Sequence, residues 1–227
     1  MARRTILLTA LFLWCAALLA LRMERTGTMR FGFLVWNLFL AFVPLVASSL
    51  FVIADRRRSP AIVQAGCFAL WLVFLPNAPY LLTDLIHLRH RPPVPLWYDL
   101  ALLLSYALTG LLLGYTSLAI VQRIVARRFG AVAGWLVATA AMGLSGFGIY
   151  LGRFLRWNSW EVLTRPAPLF AFIADCVLNP WSHTGTAAVT LIFGGALTLG
   201  YIALNVFLAD QRETGRGRAD RGHATRA

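Results

Sequence analysis

The sequence has no lysine and little charge of any kind. All 21 basic residues are arginine, only 13% of the 227 residues are charged, and 59% are hydrophobic. Soluble domains are nearer a quarter charged, so this composition excludes an ordinary soluble domain. The net charge of +12 does not indicate nucleic-acid binding, because the arginines lie between apolar runs or in the last 16 residues instead of forming one basic stripe.

Cysteine is also scarce. Cys15, Cys67 and Cys176 form no closely spaced pair, which argues against a disulfide framework and against a cysteine metal site. We interpret all three as small apolar packing residues, and the sequence leads us to expect no metal and no cofactor.

What the chain does contain is long apolar runs. Six of them are long enough to cross a hydrocarbon core, which takes roughly 20 helical residues. None alternates as a barrel strand does, so we predict an all-α, polytopic transmembrane helical bundle. The predicted spans are Thr5–Leu21, Phe31–Ala54, Ala61–Leu82, Trp97–Val121, Phe129–Leu151 and Thr186–Ala209.

The first run also has the basic start and apolar middle of a signal peptide. It has no convincing small-residue cleavage site, so we favour an uncleaved span. We predict one membrane domain over residues 1–209, followed by a disordered Arg/Gly-rich tail over residues 210–227.

The distribution of arginine predicts the orientation. With the amino terminus inside, 13 arginines lie on the inner side and 8 on the outer side. Dense basic clusters next to span ends mark the cytoplasmic face. We therefore predict that both termini are cytoplasmic and that the protein resides in the plasma membrane, with the lipid bilayer as its surroundings and no nucleic-acid partner.

Polar residues gather in "LPNAPYLLTDLIHL" at the outer end of the third span. The apolar run before Pro76 is too short to cross, so the helix must continue, kinked, through Pro79. The polar residues recur at 3-4-3 spacing, which places them in one stripe facing protein or a water-filled cavity. They are Asn77, Tyr80, Asp84 and His87.

The expected partner is the segment "YLGRFLRWNSWEVL". Arg153 and Arg156 lie one helical turn apart at the outer end of the fifth span, and we predict that they face the carboxylates of Asp84 and Asp99. Two local alternatives remain open. Asn77 could instead cap a short helix beginning at Pro79, and "NSWE" could form a near capping box.

Three stretches carry a family resemblance: "WLVFLPNAPYLLTDLIHL", "PLWYDLALLLSYALTGLLLGYTSL" and "GIYLGRFLRWNSWEVL". Together they resemble domain-of-unknown-function family 1361, over about Phe31 to Leu208. The resemblance implies a bacterial multi-pass membrane protein and no particular reaction. The segment "APLFAFIADCVLNP" resembles the family's interfacial segment, and its length predicts a short helix on the outer surface.

Among the glycines, Gly110 with Gly114 and Gly130 with Gly134 have small-xxx-small spacing. This spacing lets helices approach closely, and we interpret both pairs as packing positions.

We consider three functions. The first is an outward cavity that binds or moves a small anionic molecule or a lipid headgroup, with the candidates Asn77, Tyr80, Asp84, His87, Asp99, Arg153 and Arg156. The second is a hydrolase. It is either rhomboid-like, through Ser145 in the motif "GLSG" (Gly143–Gly146) and His183, or metal-dependent, through Asp84, His87, Asp99 and Glu161. The third is an accessory subunit without chemistry. The sequence leans away from an enzyme, and it does not indicate the oligomeric state.

Overall fold

Long apolar helices make up most of the structure. The computed structural model describes the backbone of residues 2–224 and the side chains of residues 5–210 other than 163 and 177. The α-helices are α1 Ala2–Thr26, α2 Phe33–Arg56, α3 Ala61–Phe74, α4 Asn77–Tyr80, α5 Leu96–Phe129, α6 Ala131–Arg153, α7 Glu161–Thr164, α8 Pro166–Leu178 and α9 Thr184–Ala224. Short 3₁₀ helices cover Leu81–His87 and Pro180–His183.

Within the described residues, six helical segments are long and apolar enough to cross a membrane, which confirms the predicted polytopic helical bundle. They are Thr5–Thr26, Phe33–Arg56, Ala61–His87, Leu96–Phe129, Ala131–Arg153 and Pro180–Asp210. The segment predicted to be interfacial is helical as α8, whose 13 residues are too short to cross.

The predicted tail, residues 210–227, extends beyond what the structure describes. Helix α9 continues to Ala224, but side chains after residue 210 and the last three residues lie outside the described part. The disorder of the tail therefore stays a prediction.

Helix α5 is the central element of the bundle. It packs against α1, α2, α4, α6 and the first 3₁₀ helix, while α3 packs on α2 and α9 packs on α6. Its 34 residues extend about 51 Å, well beyond a hydrocarbon core of about 30 Å. Helix α5 therefore reaches both ends of the bundle. We name these the Asp84 end and the Asp55 end, after the carboxylate that lies at each.

The third span is broken where the prolines predicted a kink. Helix α3 stops at Phe74, a single turn of α4 follows, and the chain then tightens into the 3₁₀ helix that ends at His87. The break sits between glycine positions of two neighbouring helices. A Cβ atom at Gly110 would lie 2.6 Å from the carbonyl oxygen of Ala78, and one at Gly148 would lie 2.5 Å from Cβ of Pro76.

The predicted glycine pairs differ in role. Gly110 and Gly114 both meet α4, which confirms them as packing positions. Gly134 packs against Ala126, but Gly130 has a φ of +91° and open space around it, so it forms the turn between α5 and α6. Only glycine adopts such a backbone conformation without strain.

Candidate functional site

A cluster of polar side chains surrounds Arg153 at the end of α6. Its Nε and Nη2 donate to Thr83 Oγ1 at 2.9 and 2.7 Å, and Nη2 also donates to Asp84 Oδ1 at 2.5 Å. Nη1 lies 3.3 Å from Nε2 of His87, and the guanidinium carbon lies 4.7 Å from the ring centroid of Tyr80. Nearly every donor direction of this arginine is therefore occupied. We name this group the Arg153 cluster.

The 3₁₀ helix explains why these side chains converge. With three residues per turn, Asp84 and His87 project from the same edge. Asp84 is 1% exposed, and its second oxygen accepts a hydrogen bond from Nδ2 of Asn37 on α2 at 2.9 Å. The prediction that Asp84 pairs with an arginine of the fifth span is confirmed for Arg153.

The prediction that Asp99 belongs to the same network is wrong. Asp99 accepts two hydrogen bonds from Arg22, at 2.7 Å from Nε and 3.1 Å from Nη2, and both side chains are almost fully buried. The Arg22 guanidinium also lies 4.3 Å from the ring centroid of Phe31. Asp99 lies in the first turn of α5, opposite the last part of α1, so its nearest cation comes from α1 and not from α6.

Asn77 does not cap a helix that begins at Pro79. Helix α4 begins at Asn77 itself, and no side chain caps it. The backbone amide of Ala78 donates to the carbonyl of Leu75 in a tight turn, and not to the carbonyl of Phe74 as in a regular α-helix. The carbonyl of Phe74 accepts a hydrogen bond from Asn77 Nδ2 at 2.9 Å. The same nitrogen donates to Ser159 Oγ at 2.8 Å, which ties the broken span to the loop after α6.

The segment "NSWE" forms half of the expected capping box. Glu161 Oε2 accepts a hydrogen bond from the backbone amide of Asn158 at 2.6 Å, as a capping box requires. The helix nevertheless begins at Glu161, after Trp160, and no side chain caps its first turn.

A cavity of about 570 Å³ lies beside the Arg153 cluster. Its apolar walls come from α2, α3, α6 and α8, and from Leu144 to Gly152 it follows α6 for roughly 12 Å. Polar groups line its upper part near the Asp84 end: Asn37, Asn77, Tyr80, Arg156, Asn158 and Ser159. Of the seven candidate residues, the cavity lining therefore includes Asn77, Tyr80 and Arg156.

The prediction that Arg156 faces Asp84 or Asp99 is wrong, because Asp84 pairs with Arg153 and Asp99 pairs with Arg22. The side chain of Arg156 is exposed and lines the cavity, and among the side chains that the structure describes no carboxylate pairs with it. Its φ is +60°, a left-handed conformation that is uncommon for residues other than glycine and asparagine. The turn brings the amide of Trp157 back to the carbonyl of Leu151 at 3.0 Å.

The geometry gives the hydrolase alternatives no support. Ser145 is fully buried and donates to the carbonyl of Ala141 at 2.8 Å. His183 Nε2 instead lies 2.7 Å from Asp175 Oδ2, and hydrogen bonds from Asn179 and His183 lower the pKa of Asp175. Within the described side chains, no three histidine, cysteine or acidic residues come together as metal ligands.

Gly146 of the "GLSG" motif has a packing role. A Cβ atom at Gly146 would lie 2.5 Å from the carbonyl oxygen of Thr190 and 2.7 Å from the amide of Gly194. The backbones of α6 and α9 are therefore in direct contact where the two helices cross. Small residues commonly allow membrane helices to approach this closely.

Several residues of the Arg153 cluster and of the cavity lining have only weak signals in the sequence. Thr83 and Ser159 are small hydroxyl residues in polar surroundings, and Asn37 is the single amide in an apolar span. An isolated amide inside a predicted span does indicate a buried partner, because lipid provides none. That rule would have identified Asn37, whereas nothing in the sequence distinguishes Thr83.

These features define a polytopic α-helical membrane protein with a polar cluster and an adjoining cavity at one end. A family model described as "Protein of unknown function (DUF1361)" matches residues 36–199, and the chain belongs to this family. No curated protein and no solved structure matches the chain.

Proposed function

We propose that the protein binds an amphiphile whose anionic headgroup contacts Arg156 and whose apolar chain lies between α3, α6 and α8. The proposal depends above all on the Arg156 guanidinium, which lines the cavity without a carboxylate partner among the described side chains. We further propose that the protein resides in a bacterial plasma membrane with both termini in the cytoplasm, so that this cavity faces the outer leaflet.

The charges around the cavity favour an anion. Arg153 is neutralised by Asp84 and Arg22 by Asp99, whereas no carboxylate among the described side chains neutralises Arg156. A planar guanidinium suits the paired oxygens of phosphate or carboxylate. In this proposal Asp84, His87 and Arg153 hold the wall of the cavity, and Asn77, Tyr80 and Arg156 are the residues that contact the ligand.

Hydroxyl and amide groups extend the polar end. Ser159 Oγ accepts a hydrogen bond from Asn77, which leaves its own proton free to donate to a bound headgroup. Asn158 lies beside it on the same rim. A headgroup would therefore meet one positive charge and several neutral donors.

The apolar part of the cavity favours a lipid over a free ion. The lining below the rim consists of aliphatic and aromatic side chains: Leu72, Val73, Leu144, Phe147, Leu169 and Ile173. Small-molecule sites of this kind combine a mostly apolar lining with a few oriented polar groups.

The backbone of Arg156 supports a role for its side chain. Holding a non-glycine residue in a left-handed conformation costs on the order of 1 kcal/mol or more. Glycine or asparagine would relieve that cost, so the presence of arginine here points to a use for the guanidinium.

The test compares wild type with Arg156→Asn, which removes the charge but accepts the left-handed backbone, and with Arg156→Lys, which keeps the charge without the planar fork. The probes are phosphatidic acid, diacylglycerol with the same chains, and inorganic phosphate, each scored by the shift in thermal unfolding of purified protein. We expect phosphatidic acid to stabilise wild type the most. Arg156→Asn should weaken its binding about tenfold or more, because a charge-assisted hydrogen bond contributes about 1.5–3 kcal/mol.

Arg89→Asn is the matched control, since Arg89 is exposed at the same end and does not line the cavity. It should respond to phosphatidic acid as wild type does. An unchanged phosphatidic acid response in Arg156→Asn would contradict the proposal. A response to inorganic phosphate as strong as that to phosphatidic acid would assign the site to a free anion instead of a lipid.

A further inference from the structure

A groove of about 450 Å³ lies near the Asp55 end, far along α5 from the Arg153 cluster. Leu8 and Leu11 of α1 form one wall, Leu204 and Leu208 of α9 form the other, and Ala119 of α5 lies in the floor. Helix α1 packs on α5 and α9 packs on α6, so the groove separates two helices that are attached to different neighbours.

The polar end of the groove carries a positive charge that no carboxylate of the described side chains pairs with. Arg123 lines it, is exposed, and uses its Nε to bind the carbonyl of Ala119 at 2.9 Å. Among the described side chains it pairs with no carboxylate. The nearby Asp55 is already shared by Arg127 and Arg128, so one negative charge serves two arginines there.

An amide donor lies beside Arg123. The hydroxyl of Tyr201 donates to Oε1 of Gln122 at 2.5 Å, which fixes the orientation of this amide and leaves its Nε2 hydrogens for another acceptor. The end of the groove therefore combines a guanidinium with an oriented N–H donor, above walls made of leucine.

We propose that this groove binds one anionic phospholipid of the leaflet at the Asp55 end, with an acyl chain between α1 and α9 and the phosphate at Arg123 and Gln122. Charge complementarity selects this occupant. A helix of a second copy would bring this chain's own excess of arginine to the same end, whereas an anionic headgroup supplies the missing negative charge.

The experiment counts lipids bound to the purified protein by native mass spectrometry, with phosphatidylglycerol and phosphatidylcholine of equal chain length as competing probes. It uses the Arg156→Asn chain as the common background, which lowers the contribution of the cavity beside the Arg153 cluster and keeps it equal in every variant. The variants are Arg123→Gln, which removes the charge, and Ala119→Phe, which fills the floor without changing charge. Arg57→Gln is the control, because Arg57 is exposed at the same end and does not line the groove.

We expect Arg123→Gln to lower the preference for phosphatidylglycerol by about fivefold, in line with one arginine at a membrane surface. Ala119→Phe should lose one bound lipid of either kind, and Arg57→Gln should match the background chain. Arg123 is exposed, so its replacement tests the proposal even if the Ala119 variant does not fold. An unchanged lipid preference in Arg123→Gln would overturn the proposal, and a dimer that Ala119→Phe dissociates would make the groove a protein interface.

Discussion

The arginines at the Asp84 end differ in whether a buried carboxylate pairs with them. Arg22 and Arg153 each have a buried carboxylate within hydrogen-bond distance, and Arg156 has none among the described side chains. A buried ion pair does not always add stability, but removing one partner leaves an uncompensated charge in a low-dielectric environment. The two pairs should therefore be intolerant of single replacements.

The Arg22–Asp99 pair gives the clearest residue-scale prediction. Replacing Asp99 with asparagine keeps the shape but leaves Arg22 buried and charged, so we expect a loss of about 3–5 kcal/mol. Thermal or denaturant unfolding of the purified protein measures this loss. The double variant Arg22→Met with Asp99→Leu should recover much of it, because no buried charge remains.

Asp175→Asn is the control for that prediction. Asp175 also pairs, with His183, but its carboxylate is largely exposed, and exposed pairs contribute little. If Asp99→Asn were as stable as Asp175→Asn, the Arg22–Asp99 pair would have no structural importance.

Sequence reasoning at this scale depended on where each helix was expected to end. Asp84 and Arg153 were matched because both follow apolar runs at the same depth. Arg22 counts only among the eight outer arginines because the predicted span ends at Leu21, whereas α1 continues to Thr26. The apolar run marks only the part of a helix in hydrocarbon, and a buried polar turn beyond it leaves no hydrophobic pattern.

Glycines decide the packing at the scale of elements. The broken third span fits between α5 and α6 because four glycines have no side chains that would collide with Pro76, α4 or Leu81: Gly110, Gly114, Gly148 and Gly152. Sequence spacing predicted the pair on α5. Gly148 and Gly152 have the same spacing, but the part of the chain that they contact could not be predicted. It depends on how the third span folds at Pro76 and Pro79.

Replacing Gly148 with alanine tests this packing. Its Cβ would lie 2.5 Å from the rigid ring of Pro76, so α6 or the proline break would have to move. Overpacking of this kind costs typically 1–3 kcal/mol, which exceeds the helix-propensity gain of up to about 1 kcal/mol. We expect a lower midpoint of thermal unfolding.

Gly143→Ala, on the same helix, is the matched control. A Cβ atom there would meet nothing within 4 Å, so only the propensity gain remains and stability should stay equal or rise. Equal midpoints for Gly148→Ala and Gly143→Ala would show that the proline break does not pack tightly against α6.

At the scale of the whole molecule, the bundle separates its charges between two ends. Asp55 with Arg127 and Arg128 lies at one end, and the Arg153 cluster with the Arg22–Asp99 pair lies at the other. The number and type of spans could be predicted from the sequence, because apolar length is a local property. A cavity at the outer end could be proposed, but its shape and most of its lining could not be predicted, because they depend on how α2, α3, α6 and α8 diverge.

Orientation is the prediction that connects the two ends to the membrane. The turn at Ser59 and the loop at His90 lie at opposite ends of the third span. Because dense arginine lies next to Ser59, we expect Ser59 to be cytoplasmic and His90 to be outside. A reporter that works only in the cytoplasm should therefore be active when fused at Ser59, and a reporter that works only outside should be active when fused at His90. The same side for both would contradict a membrane-crossing third span. Reversed sides would keep the fold but change the membrane leaflet that each site faces. The Arg156 cavity would then face the inner leaflet and the Arg123 groove the outer leaflet. The lipids available to each site would be those of its new leaflet.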